Sequence, residues 1–502
     1  MYRTPKAKGA GCGRVGARRV LCTLSVLAFA GGAAFAAAMD GGGAPPATVT
    51  VSFLSETGPV KPMNAVNNGP KGGSENADHC NFVEFRAANI PYGRTHDASE
   101  YICYGGDHCV DISAVFPDFN ADENDPKNYD FPVTDTYLRD MRSAGTEPFY
   151  RLGQRIEHAA KRYNIYPPAD YAKWARICEH VIRHYNEGWA DGFRWNVKYW
   201  EIWNEADIDW KWKGPPRTWG GTPEQFFEFF EIAAKHLKGK FPHLKIGGPA
   251  CGGNTAWSEM FFAHQRKSGT PMDFFSWHLY HTEPGALAAK ARAVRKQMEK
   301  YGYGGIESIL DEWNYVKNWG SGYHHSVMAL TSHKGAAFVA ATMIACNAEP
   351  VDMLMYYDAK PSAHMNGMFD QVTLMPLKAY YAIYGWGQMA ASCDRAVKTT
   401  SDASDIYAVA AKGANGKRMI FLTRYSDDDN VANLRQVTIR LVDGGTFPEK
   451  VVTHVTDYAR NYSELKMRPG NPYELRFRMP PCSFTMIEYD APSDRENSNR
   501  SR

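Results

Sequence analysis

The chain has 502 residues, of which 44% are hydrophobic, 22% charged and 13% aromatic. Those fractions exclude a disordered tail protein and a collagen-like fibre, and the length suits two or three domains rather than one small one. The formal net charge of +2 excludes binding to nucleic acid through bulk charge, so no nucleic-acid partner is expected.

Arg3, Lys6, Lys8, Arg14, Arg18 and Arg19 all precede the first acid, Asp40, and an apolar run over 20–36 ends in Ala34-Phe35-Ala36. A basic start, an apolar middle and a small-residue end predict a signal peptide over 1–36, hence a secreted or periplasmic protein. An uncleaved membrane anchor is the alternative, for which the run is short. Without those six cations the remainder carries a charge near −4. No later segment is long and apolar enough to cross a bilayer, so no integral membrane domain is expected. Residues 37–54 begin with an Ala, Gly and Pro cluster and read as a flexible leader. Export permits disulfides, and a bridge within the group Cys80, Cys103 and Cys109 is expected, whereas Cys178, Cys251 and Cys346 read as buried thiols. The cysteine spacing matches no zinc pattern.

From residue 55 to 392 short apolar runs alternate with helical patterns. The runs fall at 61–68, 89–97, 147–153, 197–207, 244–250, 273–281, 306–315 and 351–359, which makes eight strand candidates. Between the fourth and fifth, residues 222–241 predict a helix: Thr222 caps, Pro223 suits the first turn, Gln225 occupies the capping-box position, and Phe226, Phe227, Phe230, Ala234 and Leu237 share one face. Further helices are expected over 133–144, 169–185, 285–300 and 334–346. Eight β-α alternations predict an α/β fold, a (β/α)8 TIM barrel. Residues 110–131 are too long for a tight connection and read as an insertion that shapes a site. From 393 to 490 only strand-like segments remain, so a C-terminal all-β sandwich is expected, followed by a disordered tail over 491–502.

In a barrel of this class the carboxyl ends of the strands carry the chemistry. WEIWNEAD (200–207) puts Asn204 and Glu205 where the fourth strand gives way to a loop, and Glu201, at the same parity, deeper in the barrel in a structural role. SILDEWNY (308–315) puts Glu312 and Trp313 at the end of the seventh. Two strand-end carboxylates flanked by aromatics fit cleavage of a glycosidic bond, with one carboxyl as proton donor and the other as nucleophile or base. A separation of about 5–5.5 Å gives retention of anomeric configuration and about 6.5–9.5 Å gives inversion.

These two motifs resemble the acid/base and nucleophile motifs of clan A glycoside hydrolases, (β/α)8-barrel enzymes whose acid/base Glu follows Asn on strand four and whose nucleophile ends strand seven. The DEWN form is most similar to glycoside hydrolase family 39, which includes β-xylosidases and α-L-iduronidases and carries a β-sandwich beside the barrel. The resemblance covers roughly residues 55–490. It implies that Glu205 is the acid/base and Glu312 the nucleophile, with pKa values split between them. It implies that Asn204 holds a sugar hydroxyl, that His278 and Tyr280 occupy the clan's sixth-strand position, and that Tyr280 bonds Glu312. Arg94 and His96, closing the second strand candidate, fall where the family places sugar-binding residues. Asn68, with Asn67, ends the first candidate, and Tyr356, with Tyr357, ends the eighth. Packing and turn roles are the alternatives for these Asn and Tyr residues. Ala206 departs from the pattern by standing where such motifs often have Pro.

In the loop at 210–221, Trp210, Trp212 and Trp219 form either a sugar platform or a packed loop, and Lys211, Lys213 and Arg217 would favour an acidic glycan. His324-His325 has no third ligand at a metal spacing, so it reads as loop, and no Walker, Rossmann or nucleophile-elbow motif is present. The expectation is therefore an exported retaining glycosidase acting on an oligosaccharide or polysaccharide, exo-acting and β-xylosidase-like, needing no cofactor and no metal. An endo-acting glycanase and a non-catalytic carbohydrate-binding protein on the same scaffold are the alternatives.

Overall fold

In this computed structural model, which describes residues 44–71, 80–96, 98, 108–361 and 365–491, a first strand, β1 (Ala44–Pro59), precedes eight parallel strands that close a barrel. These are β2 (Ala65–Asn67), β3 (Tyr92–Arg94), β4 (Glu147–Leu152), β5 (Tyr199–Ile202), β6 (Lys245–Cys251), β7 (Phe274–Tyr280), β8 (Glu307–Asn314) and β9 (Met353–Tyr356), with β9 pairing back to β2. Each corresponds to one of the eight apolar runs. The expected signal segment, the start of the leader, Cys103 and the tail after 491 lie outside the described residues.

Helices surround the barrel because each connection carries an apolar stripe that the strands' outer faces can bury. The helix Pro223–Lys240 opens with the expected capping box: Gln225 N donates to Thr222 Oγ1 at 3.2 Å, and Thr222 N donates to Gln225 Oε1 at 2.8 Å. Phe226, Phe227, Phe229 and Phe230 sit on it fully enclosed, interleaved with Trp219 and Trp257. The helix Thr255–Ser268, which fills the connection between β6 and β7, is not apparent in the sequence patterning.

Alternation along the strands stacks the barrel interior in layers. Ala65, Phe149, Tyr199, Phe274, Ile309, Met353 and Met355 form an apolar floor. Two residues on, β2, β4, β5, β7 and β8, joined by β3, present Asn67, Arg151, Glu201, Ser276, Asp311 and Arg94, all buried. This second layer is polar and must be satisfied internally, since a buried charge without partners is costly.

One irregularity decides what stands above it. On β8 the pairing to β7 jumps from Trp277↔Leu310 to His278↔Glu312, and the pairing to β9 jumps from Leu310↔Leu354 to Trp313↔Tyr356. Asp311 is thus an extra residue in the ladder. Such a bulge re-aims the side chains beyond it. Asp311 and Glu312 both turn inward as a result, while Trp313 turns outward against Phe338 and Tyr356.

The second domain is one nine-stranded sheet of β1 with β10 (Arg395–Ser401), β11 (Ile406–Lys412), β12 (Lys417–Arg424), β13 (Arg435–Leu441), β14 (Val451–Thr456), β15 (Ser463–Met467), β16 (Glu474–Met479) and β17 (Ser483–Asp490). Its order is β15-β14-β17-β12-β11-β10-β1-β13-β16, antiparallel throughout except for β1 beside β13. Val49, Val51, Ile439 and Leu475 from one end share a core with Ile420, Val451 and Ile487 from the other, so the sheet curls over on itself.

Residues 44–54 are therefore not a flexible leader but most of an interior strand of this domain, flanked by β10 and β13. The Ala-Pro-rich opening hides the alternation of Val49, Val51 and Phe53, and the partners of Val51 lie about 350 and about 390 residues further along, at Thr399 and Leu441. The domain reaches the end of the barrel at which the strands' carboxyl termini lie. Tyr425 OH donates to the carbonyl of Thr282, just after β7, at 2.5 Å, and Tyr315 OH, just after β8, donates to Asp427 at 2.7 Å. No single helix among the described residues is long and apolar enough to cross a membrane.

Candidate active site

Glu205 stands at the end of β5 on a backbone turned into the left-handed region, with φ of 75° at Trp203 and 52° at Glu205. Non-glycine residues persist there only when their surroundings hold them. Three contacts do so. Glu205 N donates to Ala250 O at 2.9 Å, Thr218 Oγ1 donates to Glu205 O at 2.9 Å, and Trp203 N donates to Leu152 O at 2.6 Å. Asp207, buried two residues on, accepts from Gly252 N and Asn254 N, which ties the loops after β5 and β6 together.

Glu312 is held from below and from the side. Arg94 Nη1 donates to its Oε1 at 2.9 Å and Tyr280 OH to its Oε2 at 2.9 Å. His278 lies between the two carboxylates, its Nδ1 2.8 Å from Glu205 Oε1 and 3.3 Å from Glu312 Oε2. One oxygen of Glu205 and one of Glu312 approach within 4.8 Å. His96 Nε2 is 3.8 Å from Glu312 Oε1.

Beneath them Arg94 is the hub. Its Nε donates to Glu201 Oε2 at 2.6 Å and lies 3.1 Å from Asp311 Oδ2, its Nη1 also reaches Asn67 Oδ1 at 3.2 Å, and its Nη2 donates to Asn204 Oδ1 at 2.6 Å. Ser276 Oγ donates to the other oxygen of Glu201 at 2.6 Å and accepts from Ala250 N.

Four carboxylates thus surround one guanidinium and one imidazole. Burial raises the pKa of Glu201, and Asp311 beside it raises it further against the pull of Arg94. Asp311 goes the other way: burial opposes ionisation, but Arg94 and His278 outweigh it. The proton of this pair therefore sits on Glu201. Burial would lower the pKa of His278, yet the carboxylates of Glu312 and Asp311 hold it well above its ordinary value. His96, buried near Arg94 and Arg151, is pushed well below its ordinary value and stays neutral. The trio Glu205, His278 and Glu312 has the spacing to hold a divalent ion.

The carboxylates open into a cavity of about 630 Å³ lined by His96, His158, Arg217, Met365 and an aromatic wall. In that wall Tyr280 meets Trp319 edge to face at 5.0 Å and Tyr357 at 6.2 Å, and Trp319 stacks on Tyr323 at 5.7 Å. Trp319 is 62% exposed, so its ring is available to a ligand.

Of the residues singled out in the sequence, Glu205, Glu312, His278, Tyr280 and His96 line this cavity. Asn204 is buried beside it with its Nδ2 unpartnered among the described residues. Arg94 is buried beneath the carboxylates and holds them rather than facing the cavity. Three expectations are corrected. Trp313 is turned away by the bulge at Asp311. Tyr356 has the outward parity of β9, its OH accepting from Gly367 N, and Tyr357 takes the inward place. Asn68 turns outward at φ 66°, where its Oδ1 accepts from Tyr137 OH, while Asn67 points to Arg94. Trp219 is enclosed in the helix layer, and the insertion at 110–131 lines no part of the cavity, although its Asp111 anchors Arg151 at 2.6 Å. Trp319, Tyr323 and Tyr357 went unnoticed or undervalued in the sequence. The signal for them was an aromatic one to nine residues past a strand end.

The profile of glycosyl hydrolases family 39 matches residues 85–373, more than half of the chain. A β-xylosidase of Geobacillus stearothermophilus is 26% identical over 205 residues, 38% of this chain and 37% of that protein. A β-xylosidase of Caldicellulosiruptor saccharolyticus is 28% identical over 194 residues, 37% of each chain. The chain thus spans just over a third of the length of these curated relatives. Among solved structures, a glucosidase from Croceicoccus marinus matches with a TM-score of 0.72 at 21% identity, covering 90% of this chain and 100% of that one. A monomeric β-xylosidase from Caulobacter crescentus CB15 matches with a TM-score of 0.65 at 16% identity, covering 89% and 100%. At these identities the structural likeness is one of fold. By the extent of the profile match, and with a barrel whose fourth and seventh strands end in facing glutamates, the chain belongs to glycosyl hydrolases family 39.

Proposed function

We propose that this protein is an exported retaining glycosidase, exo-acting and β-xylosidase-like. The observation that carries the mechanism is the approach of Glu205 and Glu312 oxygens within 4.8 Å. That spacing leaves no room for a water between carboxylate and sugar, as inversion requires, and suits direct attack. Glu312 attacks the anomeric carbon while the bond to the leaving oxygen breaks and Glu205 delivers its proton to that oxygen. Glu205 then takes a proton from water, whose oxygen displaces Glu312 from the anomeric carbon.

The surroundings support these roles. His278 Nδ1 engages Oε1 of Glu205, which leaves Oε2, free of protein partners among the described residues, as the oxygen that faces the leaving group. Arg94 and Tyr280 each donate to a different oxygen of Glu312 and favour its ionised form. Asn204 Nδ2 is positioned to donate to a sugar hydroxyl. The names of the two curated relatives favour a xyloside. The basic and apolar opening of the sequence supports export.

The test is a screen of the purified protein on aryl xyloside, arabinoside, galactoside, glucoside and iduronide, with Glu312→Ala as control. Release of the aryl group from the xyloside, absent in the variant, is expected. Equal release by the variant would overturn the proposed nucleophile.

A further inference from the structure

The cavity has two unlike walls. The loops after β7, β8 and β9 supply aromatic rings. The loops after β4 and β5 form the other side: across 153–166 and 208–221 the sequence has Arg155, Lys161, Arg162, Lys211, Lys213 and Arg217 against two acids, Glu157 and Asp209, and of these cations Arg217 lines the cavity, together with His158. Both acids are committed within the loops. Glu157 accepts from Tyr163 N and Asn164 N, and Asp209 accepts from Arg217 N at 2.5 Å, Thr218 N at 2.6 Å and Thr218 Oγ1 at 2.9 Å. The two loops are also bonded to one another, through Glu157 N to Arg217 O at 2.8 Å and Arg162 Nε to Pro216 O at 2.9 Å.

Within this wall Arg217 is set as a receptor. Asp209 Oδ1 takes its Nε at 3.2 Å, and Trp212 lies against the guanidinium with its ring centre 5.2 Å from Cζ. Neither Nη group has a protein partner among the described residues, although the side chain is only 33% exposed and lines the cavity. A guanidinium bonded at Nε and supported on one face presents its remaining N–H groups as a fixed fork, which matches the paired oxygens of a carboxylate or sulfate. Its place is tied to the acid/base. Thr218, the next residue, donates to the Glu205 carbonyl, and Arg217 lines the same cavity as Glu205, the residue that serves the leaving group.

We infer that the substrate is an anionic glycan, carrying a carboxylate or sulfate on the leaving-group side of the bond, and that Arg217 is the residue that binds this anion. This rests on the glycosidase reading above and adds the substrate class to it.

The test takes the sugar found by the aryl-glycoside screen and compares three disaccharides of it, on a neutral hexose, a hexuronate and a sulfated hexose. The readout is the ratio of kcat/KM for each anionic disaccharide to that for the neutral one, so a general loss of activity cancels. In the wild type at low salt one anionic substrate is expected to be favoured by about tenfold or more, the worth of a charge-assisted fork. That ratio is expected to fall as salt is raised, and to collapse toward one in Arg217→Met, with an intermediate value in Arg217→Lys. Preference for the uronate or for the sulfate identifies the anion. A ratio near one in the wild type, or a preference that survives Arg217→Met, overturns the inference. Hydrolysis of aryl glycosides with no anion preference sinks this inference alone, whereas silence on every aryl glycoside and all three disaccharides sinks the glycosidase reading beneath it.

Discussion

Arg94 Nη1 lies 2.9 Å from Oε1 of Glu312, and through its other nitrogens the same guanidinium holds Glu201, Asp311 and Asn204, so one residue of β3 ties the ends of β5 and β8 together. Removing it leaves buried carboxylates without a counter-charge. Arg94→Met is expected to destabilise the protein by roughly 3–5 kcal/mol, read as a lower denaturant midpoint. Arg94→Lys supplies charge without the fork and should recover only part of this.

Glu201 and Asp311 share that guanidinium with one proton between them, held on Glu201. A neutral amide should therefore replace Glu201 cheaply. Glu201→Gln is expected to cost about 1 kcal/mol, and Glu201→Ala, which strands Ser276 and Arg94 Nε, about 2–3 kcal/mol more. The sign with pH follows. Because the folded-state pKa of Glu201 is raised above its ordinary 4.5, its contribution is full below that value and is lost as pH rises toward the folded pKa. Melting temperature measured across this window should decline less steeply in Glu201→Gln than in the wild type.

His278 bridges the catalytic pair, and the negative charge of Glu312 and Asp311 favours its protonated form. Its folded pKa is raised above 6.5, so its stabilising contribution is present below 6.5 and lost as pH climbs through the higher folded value. Turnover should fall on the same alkaline limb. His278→Ala is expected to lower kcat/KM by about a hundredfold through misplacement of Glu205, and to move that limb, which a merely structural loss would leave in place.

Trp319 is anchored edge to face on Tyr280 yet largely exposed. Trp319→Ala should raise KM by about three- to tenfold for loss of one stacking face and leave the melting temperature unchanged.

The barrel was legible because eight short strand-like segments alternate with helical patterns, and Glu205 and Glu312 stood out because each closes such a segment with aromatics beside it. What lay hidden was set by contacts distant in sequence. The bulge at Asp311 reverses the parity of β8, so Trp313, adjacent to Glu312, faces the helices and Asp311 faces the site. Arg94 reads as a polar strand end until β2, β5 and β8 close around it. β1 reads as a leader until β10 and β13 supply its partners. Tyr356 and Tyr357 are equivalent by composition, and only the inward Met353 and Met355 show which faces the cavity.

The central claim, double displacement at Glu312, is tested most directly by the anomeric configuration of the first-formed product. With an aryl glycoside that the enzyme cleaves, proton NMR recorded before mutarotation should show the sugar released with the configuration of the substrate. Release of the opposite anomer would contradict the account, because it would require a water between two carboxylates whose oxygens approach within 4.8 Å.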